Sequence, residues 1–317
     1  MMRIMTVYVD DPARLGESTL PDGRVLGWAE WGPVDGAPVL LCPGAATSRS
    51  LGIGAGAVEA LGVRFVSVDR PGLGASTPAP GRTFSDFADD VRQLRVLRGL
   101  GHPAVVGNSQ GAPFALACAA EGVASALALV SGADEVAAPE FAPALAEEPR
   151  GLVERIARDP VGAEEFFAGF TADAMWGMVT EGGPACDLAV YQDPGFASAY
   201  RRALAEGFVQ GPAGYARDTV LAMGRWPFAL DGITVPVQIW YGEHDTSHSP
   251  DNGALLAARI PGADRHVVPG TGGALLWTHP EPILTALLAH TGARTPAPDH
   301  RDRAAEARRG SQGHGGV

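Results

Sequence analysis

The chain has 317 residues, 46% of them hydrophobic, and a formal net charge of −12 at pH 7. This length allows one large domain with an insertion, or two smaller domains. The negative charge argues against nucleic acid as a partner, because phosphates need a basic surface. The sequence has no run of about 20 uncharged apolar residues, so we expect no association with a membrane through a spanning helix.

The first residues lack the long apolar stretch and small-residue cleavage site of a signal peptide, which favours a cytoplasmic location. Three cysteines, at positions 42, 118 and 186, are too widely spaced and odd in number for a disulfide framework or a zinc knuckle. The glycine-rich residues 52–57 do not directly follow a strand, so they do not form a dinucleotide fingerprint. We therefore predict no cofactor.

The pattern of apolar residues changes from hairpin-like to alternating strands and helices along the chain. Residues 13–32 are typical of a β-hairpin with a turn at Pro21-Asp22-Gly23, which adds antiparallel edge strands. Several later runs are apolar at nearly every position, as strands buried on both faces require. The alternation predicts an α/β fold, a mostly parallel sheet with helices on both faces. The predicted strands lie at 38–44, 63–69, 104–109, 126–132, 237–243 and 265–270, and the helices at 50–61, 84–98, 110–120, 250–259 and 280–290.

Residues 134–230 interrupt this alternation. They contain helical patterns and many large apolar side chains, but no convincing strand. These side chains either pack a helical unit or also line a pocket, for which Phe170, Trp176 and Tyr215 are candidates. We predict a core made of residues 1–133 and 231–290, a helical insertion at 134–230, and a disordered tail at 291–317 that has almost no large apolar side chains.

A possible nucleophile lies between a predicted strand and a predicted helix. Gly107-Asn108-Ser109-Gln110-Gly111 fits the pattern G-x-S-x-G, in which the serine occupies a strained turn and the glycines remove clashing side chains. The N–H of the following residue points to the same place and can stabilise an oxyanion. In this strand–turn–helix context the pattern favours a nucleophilic Ser109 over an ordinary turn serine.

Other segments fit the same arrangement. A glycine-containing loop follows the first buried strand, so a second N–H, that of Ala45, can face the serine. A tight glycine turn follows the next strand at residues 69–76. With these motifs, in this order over residues 18–290, the chain resembles the α/β-hydrolase superfamily, and most closely its bacterial branch with a helical cap. The motifs are "PGAATSR", "DRPGLGAST", "GNSQGAPFALACAA", "ALALVSG", "YGEHD" and "HVVPGTGG".

The resemblance implies an α/β-hydrolase fold and a site assembled from separate loops. It implies that Ser109 is the nucleophile and that Asp245, just past the strand at 237–243, is the acid of a catalytic triad. It implies that the N–H groups of Ala45 and Gln110 form the oxyanion hole. It also implies that residues 134–230 form the cap over the site.

The chain departs from the family where the catalytic base is expected. After the last strand the family usually has Gly-x-Gly-His, whereas this chain has Gly270-Thr271-Gly272-Gly273. The flanking segments lie at the family's usual distances, so Gly273 occupies the histidine's position. A serine hydroxyl is a poor nucleophile without a base that accepts its proton.

Among the eight histidines, His248 is the candidate replacement base. It follows Asp245 by three residues in a loop that borders the site, and its side chain could lean toward the empty position at 273. The alternative is a partly exposed loop histidine. His244 and His248 have the spacing of a metal-binding pair on a helix, but they lie in a turn before Pro250, so we predict no metal.

Four interpretations stay open at this level. The first is a serine hydrolase of a small apolar ester, lactone or thioester, with His248 or a water chain as the base. The second is a non-hydrolytic cyclase, isomerase or lyase that uses the same pocket on a biosynthetic intermediate. The third is an inactive protein that binds a small ligand, and the fourth is a glycine engineered at position 273 to trap a substrate complex. Each implies a small hydrophobic molecule as partner, and none implies an oligomeric state.

Overall fold

The computed structural model describes residues 8–291. Eight strands form one sheet in the order β1-β2-β4-β3-β5-β6-β7-β8. They are β1 (Arg14–Thr19), β2 (Val25–Trp31), β3 (Ala37–Cys42), β4 (Val63–Val68), β5 (Ala104–Ser109), β6 (Leu127–Gly132), β7 (Val237–Gly242) and β8 (Asp264–Val268).

The sheet is mostly parallel, as the alternation of strands and helices predicts. Strand β1 pairs antiparallel with β2, and β2 pairs antiparallel with β4. All pairings from β4 through β8 are parallel. The predicted hairpin and the α/β fold class are therefore confirmed. Each later strand begins within two residues of its predicted first residue.

Twelve α-helices connect or cover these strands within the described residues, with short 3₁₀ turns at Pro139–Phe141 and Leu230–Gly232. They are α1 (Ala55–Ala60), α2 (Phe84–Leu97), α3 (Gly111–Ala120), α4 (Glu147–Arg158), α5 (Pro160–Phe167), α6 (Ala172–Thr180), α7 (Ala185–Tyr191), α8 (Pro194–Gly207), α9 (Ala213–Met223), α10 (Ala254–Arg259), α11 (Leu275–Thr278) and α12 (Pro280–Ala289). No helix in this part of the chain has the length and apolar character that crossing a bilayer requires.

Two predicted helices begin later than their patterns suggest. Helix α1 begins at Ala55 and not at residue 50, because the backbone of Gly54 is extended, with ψ of 128°. Helix α10 begins at Ala254 and not at residue 250, because Asn252 and Gly253 adopt left-handed backbone angles, with φ of 52° and 74°.

Apolar side chains cover both faces of the sheet, which explains why its central strands have no polar side. Neighbouring residues of one strand enter opposite cores: Leu40 and Val105 pack on one face, and Leu41 and Val106 on the other. Helices α2 and α3 cover the first face, and α1, α11 and α12 cover the second. This arrangement leaves the carboxyl edge of the sheet for loops, where ligands bind in open α/β sheets.

Residues 134–230, which we call the cap, carry only helices and turns between β6 and β7. Within the cap, α5 packs against both α4 and α9, and α8 packs against α6 and α7. The predicted tail at 291–317 lies outside the described residues, apart from Thr291.

The approach of helix α3 to the sheet requires glycine at two positions. A Cβ at Gly111 would overlap the carbonyl oxygen of Cys42 on β3, and a Cβ at Gly107 would lie 2.7 Å from Ala112 Cα. Neither backbone neighbour can move without shifting a buried strand or helix. The two glycines of the G-x-S-x-G pattern are therefore a packing requirement.

We predict that Gly111→Ala destabilises the protein by about 1–3 kcal/mol or more, because the added methyl group must displace buried backbone. Gly56→Ala is the matched control, since Gly56 is exposed in α1 with no atom within 4 Å of its Cβ position. It should be neutral or stabilise the fold by up to about 1 kcal/mol. Chemical denaturation measures the free energy of unfolding of each variant. Equal free energies for Gly111→Ala and Gly56→Ala would contradict the packing argument.

Candidate active site

Ser109 stands at the carboxyl end of β5 in a strained turn. Its φ is 49°, in the left-handed region that residues with a side chain rarely adopt. The turn is held by the Ala133 N–H, which donates to the Ser109 carbonyl oxygen at 2.8 Å, and by Asn108 Nδ2, which donates to the Val130 carbonyl oxygen at 3.0 Å. Ser109 lines the large cavity above this edge of the sheet.

The loop after β3 lies against the serine. A Cβ at Gly44 would come within 3.5 Å of Ser109 Cβ, so the loop backbone passes directly beside the side chain. Ala45 and Gln110 both line the same cavity as Ser109. Within residues 8–291 neither the Ala45 N–H nor the Gln110 N–H donates to another group, which leaves both donors available to a ligand.

A buried arginine fixes this loop to the cap. Arg70, fully buried, donates to the carbonyl oxygens of Pro43 at 2.5 Å and Gly44 at 3.0 Å. Its Nε donates to Asp218 of α9 at 2.6 Å, and the same carboxylate accepts from Arg82. The carboxylate compensates these buried cations, which alone would be costly to desolvate.

Asp245 and His248 form a pair on the loop after β7. His248 Nδ1 lies 2.9 Å from Asp245 Oδ1 and 3.0 Å from Oδ2. The Asp245 side chain is buried, and the imidazole is 20% exposed. His248 lines the cavity that Ser109 lines, although no hydrogen bond joins the two side chains within the described residues. Such bonds are often formed only when substrate is present.

The charges of this pair shift both pKa values. Burial lowers the pKa of His248, but the charge and hydrogen bond of Asp245 outweigh it, so the pKa is raised from its ordinary value. Burial raises the pKa of Asp245, but His248 and the Ser247 N–H outweigh it, so this pKa is lowered. The charged pair therefore stabilises the fold between the two values. This stability is lost as pH falls through the lowered pKa of Asp245 or rises through the raised pKa of His248.

The imidazole of His248 occupies the space beside Gly273. A Cβ at Gly273 would lie 2.9 Å from His248 Cε1 and 3.2 Å from Nδ1. A side chain at position 273 would therefore require the imidazole to shift from its present place. His248 lies in the space beside Gly273, and its role as the base stays a prediction.

The cavity measures about 560 Å³, a size typical of small-molecule sites. Phe170 and Tyr215 lie in its wall, as predicted, but Trp176 does not. Trp176 packs instead on the Tyr200 ring, with the guanidinium of Arg201 over its face, because α6 directs it away from the cavity.

Acidic side chains line the cavity, and no arginine within residues 8–291 does. Asp134 and Asp187 are buried, whereas Glu148 and Glu181 are exposed at its margin. Burial raises the pKa of Asp134 to about 6. No group of three or more His, Cys, Asp or Glu within residues 8–291 is arranged to hold a metal ion.

Two residues that support the site, Arg70 and Asp187, are not identifiable from the sequence pattern. Arg70 lies in the recognised "DRPG" turn, but nothing in the pattern shows that its side chain is buried. Asp187 of α7 accepts hydrogen bonds from the N–H groups of Gly273 at 2.8 Å and Ala274 at 3.0 Å. Its only signal in the sequence is a single acid beside the apolar residues of a short helix.

We predict that Asp245→Asn lowers the pKa of His248, because it removes the negative charge that raises it. Titration of the histidine ring protons by NMR measures the shift, with His248→Gln used to assign the signal. His279, whose pKa is lowered by burial and not by Asp245, is the internal control and should not move. An unchanged titration of His248 would contradict the ion pair.

Comparison with known proteins supports the fold. No curated protein sequence gives a significant match. Similar solved structures include the esterase RhEst1 from Rhodococcus sp. ECU1013 (18% identity, 88% of this chain and 98% of that chain, TM-score 0.59). A thermophilic esterase from Thermogutta terrifontis is 24% identical, with 87% of this chain and 97% of that chain covered and a TM-score of 0.59. The enol-lactonase from Burkholderia xenovorans LB400 is 18% identical, with 88% of this chain and 100% of that chain covered and a TM-score of 0.59. Residues 37–170 match the family model described as alpha/beta hydrolase fold, and the chain has that fold.

Proposed function

We propose that the protein is a serine hydrolase in which His248, from the loop after β7, replaces the histidine that the family carries after β8. The observation that carries this proposal is the position of the imidazole. It is bonded to Asp245 and lies against Gly273, in the wall of the cavity that also contains Ser109. The triad is then Ser109, His248 and Asp245.

The hydrogen bond to Asp245 selects a useful tautomer of His248. If Nδ1 carries the proton and donates it to the carboxylate, Nε2 is left as an acceptor. Nε2 then takes the proton of Ser109 as the hydroxyl oxygen bonds to the carbonyl carbon of the substrate. The N–H groups of Ala45 and Gln110 stabilise the resulting oxyanion.

The remaining steps balance the protons. As the tetrahedral intermediate collapses, His248 returns its proton to the leaving oxygen or sulfur, and an acyl-Ser109 ester remains. Water then attacks this ester and gives a proton to His248. As the second tetrahedral intermediate collapses, His248 returns that proton to Ser109 Oγ and the acid is released. Asp245 keeps its charge throughout and stabilises the imidazolium in each half of the reaction.

The cavity supports a small apolar ester, lactone or thioester as the substrate. Aromatic and methionine side chains form much of its wall, and an ester or thioester needs no cation for binding. The esterases and the enol-lactonase among the structural neighbours support the same class of reaction. A cytoplasmic location stays a prediction from the sequence.

The non-hydrolytic and ligand-binding interpretations rested on the loss of the base. A histidine paired with Asp245 in the same cavity removes that motivation, because the proton acceptor is supplied from another loop. We therefore favour hydrolysis. The fourth interpretation requires a parent protein with a histidine at position 273. The Cβ of that histidine would lie 2.9 Å from His248 Cε1, so it does not fit beside the present imidazole.

We predict that Ser109→Ala and His248→Ala each lower kcat/KM for a p-nitrophenyl ester by about 10⁴–10⁶-fold, the usual cost of removing a triad member. Ser109→Ala should also abolish labelling by a fluorophosphonate. His244→Ala is the matched control, since its side chain is exposed on the same loop. Full activity in His248→Ala, with none in Ser109→Ala, would place the base elsewhere.

A paired exchange of side chains tests the position of the base directly. Gly273→His alone should not raise activity, because its Cβ would meet the His248 ring. The double variant His248→Ala/Gly273→His frees that space and should recover at least about 100-fold over His248→Ala, the typical contribution of general acid–base catalysis. If Gly273→His alone raised the activity and the double variant did not, the two histidines would not compete for one space, and the prediction would be wrong.

We predict that the site discriminates against negatively charged acyl groups. At pH 8 the p-nitrophenyl monoester of adipic acid should react at least about tenfold more slowly, in kcat/KM, than p-nitrophenyl hexanoate, since like charges meet in the cavity. The double variant Glu148→Gln/Glu181→Gln neutralises the exposed acids, so it should reduce the difference in kcat/KM between the two esters. Added salt should reduce this difference too. Equal rates for the two esters would show that the acids do not face the acyl chain.

A further inference from the structure

Asp187 is a carboxylate from the cap that enters the active-site wall. It lies on α7, is only 6% exposed, and accepts the N–H groups of Gly273 and Ala274 with its two oxygens at 2.8 and 3.0 Å. These N–H groups begin the turn that leads into α11, and without Asp187 they would be buried donors lacking an acceptor. The carboxylate therefore fixes the backbone of the turn that lies beside His248.

The double glycine makes room for both the carboxylate and the imidazole. A Cβ at Gly272 would overlap the Asp187 carboxyl group, which supplies all three of the nearest atoms. A Cβ at Gly273 would lie 3.6 Å from Asp187 Oδ2 and 2.9 Å from His248 Cε1. Asp187 and His248 thus approach the same point from the cap and from the core.

Two carboxylates act on the imidazole of His248, and two further titratable groups, Asp134 and Tyr191, line the same cavity. Asp245 comes from the same loop and has the largest favourable effect, and Asp187 comes from α7. Asp134, after β6, donates its backbone N–H to the His248 carbonyl oxygen, and Tyr191 is a neutral phenol whose pKa burial raises further. The negative charge of Asp187 also raises the pKa of His248, after the charge and hydrogen bond of Asp245.

We propose that Asp187 is a positioning residue, through which the closed cap holds the Gly273 turn and gives His248 a second negative neighbour. This inference rests on the proposed function, because it assigns His248 as the base. Asp187 lies in the cavity wall and bonds to the backbone of the Gly273 turn, so its proposed role is carried through that turn and the imidazole. It acts on the imidazole, and its contribution depends on the cap being in place.

The test is the pH profile of kcat/KM, whose acid limb reports the pKa of the base in the free enzyme. Asp187→Asn should shift this limb to lower pH, because it removes a charge that favours the imidazolium. Gly272→Ala should shift it in the same direction by displacing the carboxylate, with no change in net charge. The double variant should shift it no further than the larger single effect, since both act through one contact.

Asp173→Asn is the matched control, because Asp173 is an exposed acid of the cap, on α6. It should leave the limb unchanged. A uniform loss of activity at every pH in Asp187→Asn, with no shift of the limb, would overturn the proposal and leave Asp187 a purely structural residue. If Asp187→Asn does not fold, Gly272→Ala carries the same test.

NMR titration of His248 separates this inference from the proposed function. If the wild-type protein neither turns over esters nor reacts with a fluorophosphonate, the proposed function fails. The pKa of His248 can still be compared between the wild type and Asp187→Asn in the resting protein. A lower pKa in the variant supports the contact, and an unchanged pKa overturns it.

Discussion

The left-handed turn at Ser109 is the constraint on which the rest of the site depends. A residue with a side chain held in that conformation costs about 1 kcal/mol or more, so surrounding contacts must enforce it. Here the sheet supplies them, through bonds between β5 and the end of β6. Glycines on both sides let α3 approach β3 closely enough to close the turn. The turn thereby places Ser109 in the wall of the cavity.

Buried carboxylates, Asp218 and Asp187 among them, attach the cap to the carboxyl edge of the sheet. Asp218 on α9 pairs with Arg70, which holds the carbonyl groups of the loop beside Ser109, and Asp187 on α7 holds the turn at Gly273. Burying a charge without its partners costs several kcal/mol, so neither contact can open cheaply. The two links reach opposite sides of the site, one at the predicted oxyanion loop and one at the histidine. The position of the cap and the geometry of the catalytic loops are therefore coupled.

The sequence predicts most of the fold because its signals are local. Each buried strand is a run of apolar residues, and the turn at Ser109 needs glycines within two residues of the serine. His248 could be identified as a candidate because it lies three residues from Asp245. Asp187 could not, since its contact with Gly273 joins positions 86 residues apart and depends on how the cap folds. Trp176 was misplaced for the same reason, because a composition rich in aromatic residues does not show which face of α6 meets the cavity.

Under the proposed function, a histidine on the loop after β7 and a glycine at position 273 depend on each other. When the acid and the histidine of a triad follow different strands, the packing of those strands must bring the two side chains together. Here Asp245 and His248 share one turn, which the Ser247 N–H and the Asp134 N–H stabilise. The imidazole can take this place only if position 273 has no side chain, because a Cβ there would touch the ring. Simple decay of a triad would remove one histidine and leave its space empty. A glycine at 273 beside a histidine that fills the adjacent space and is bonded to Asp245 is instead the arrangement that the proposed function requires.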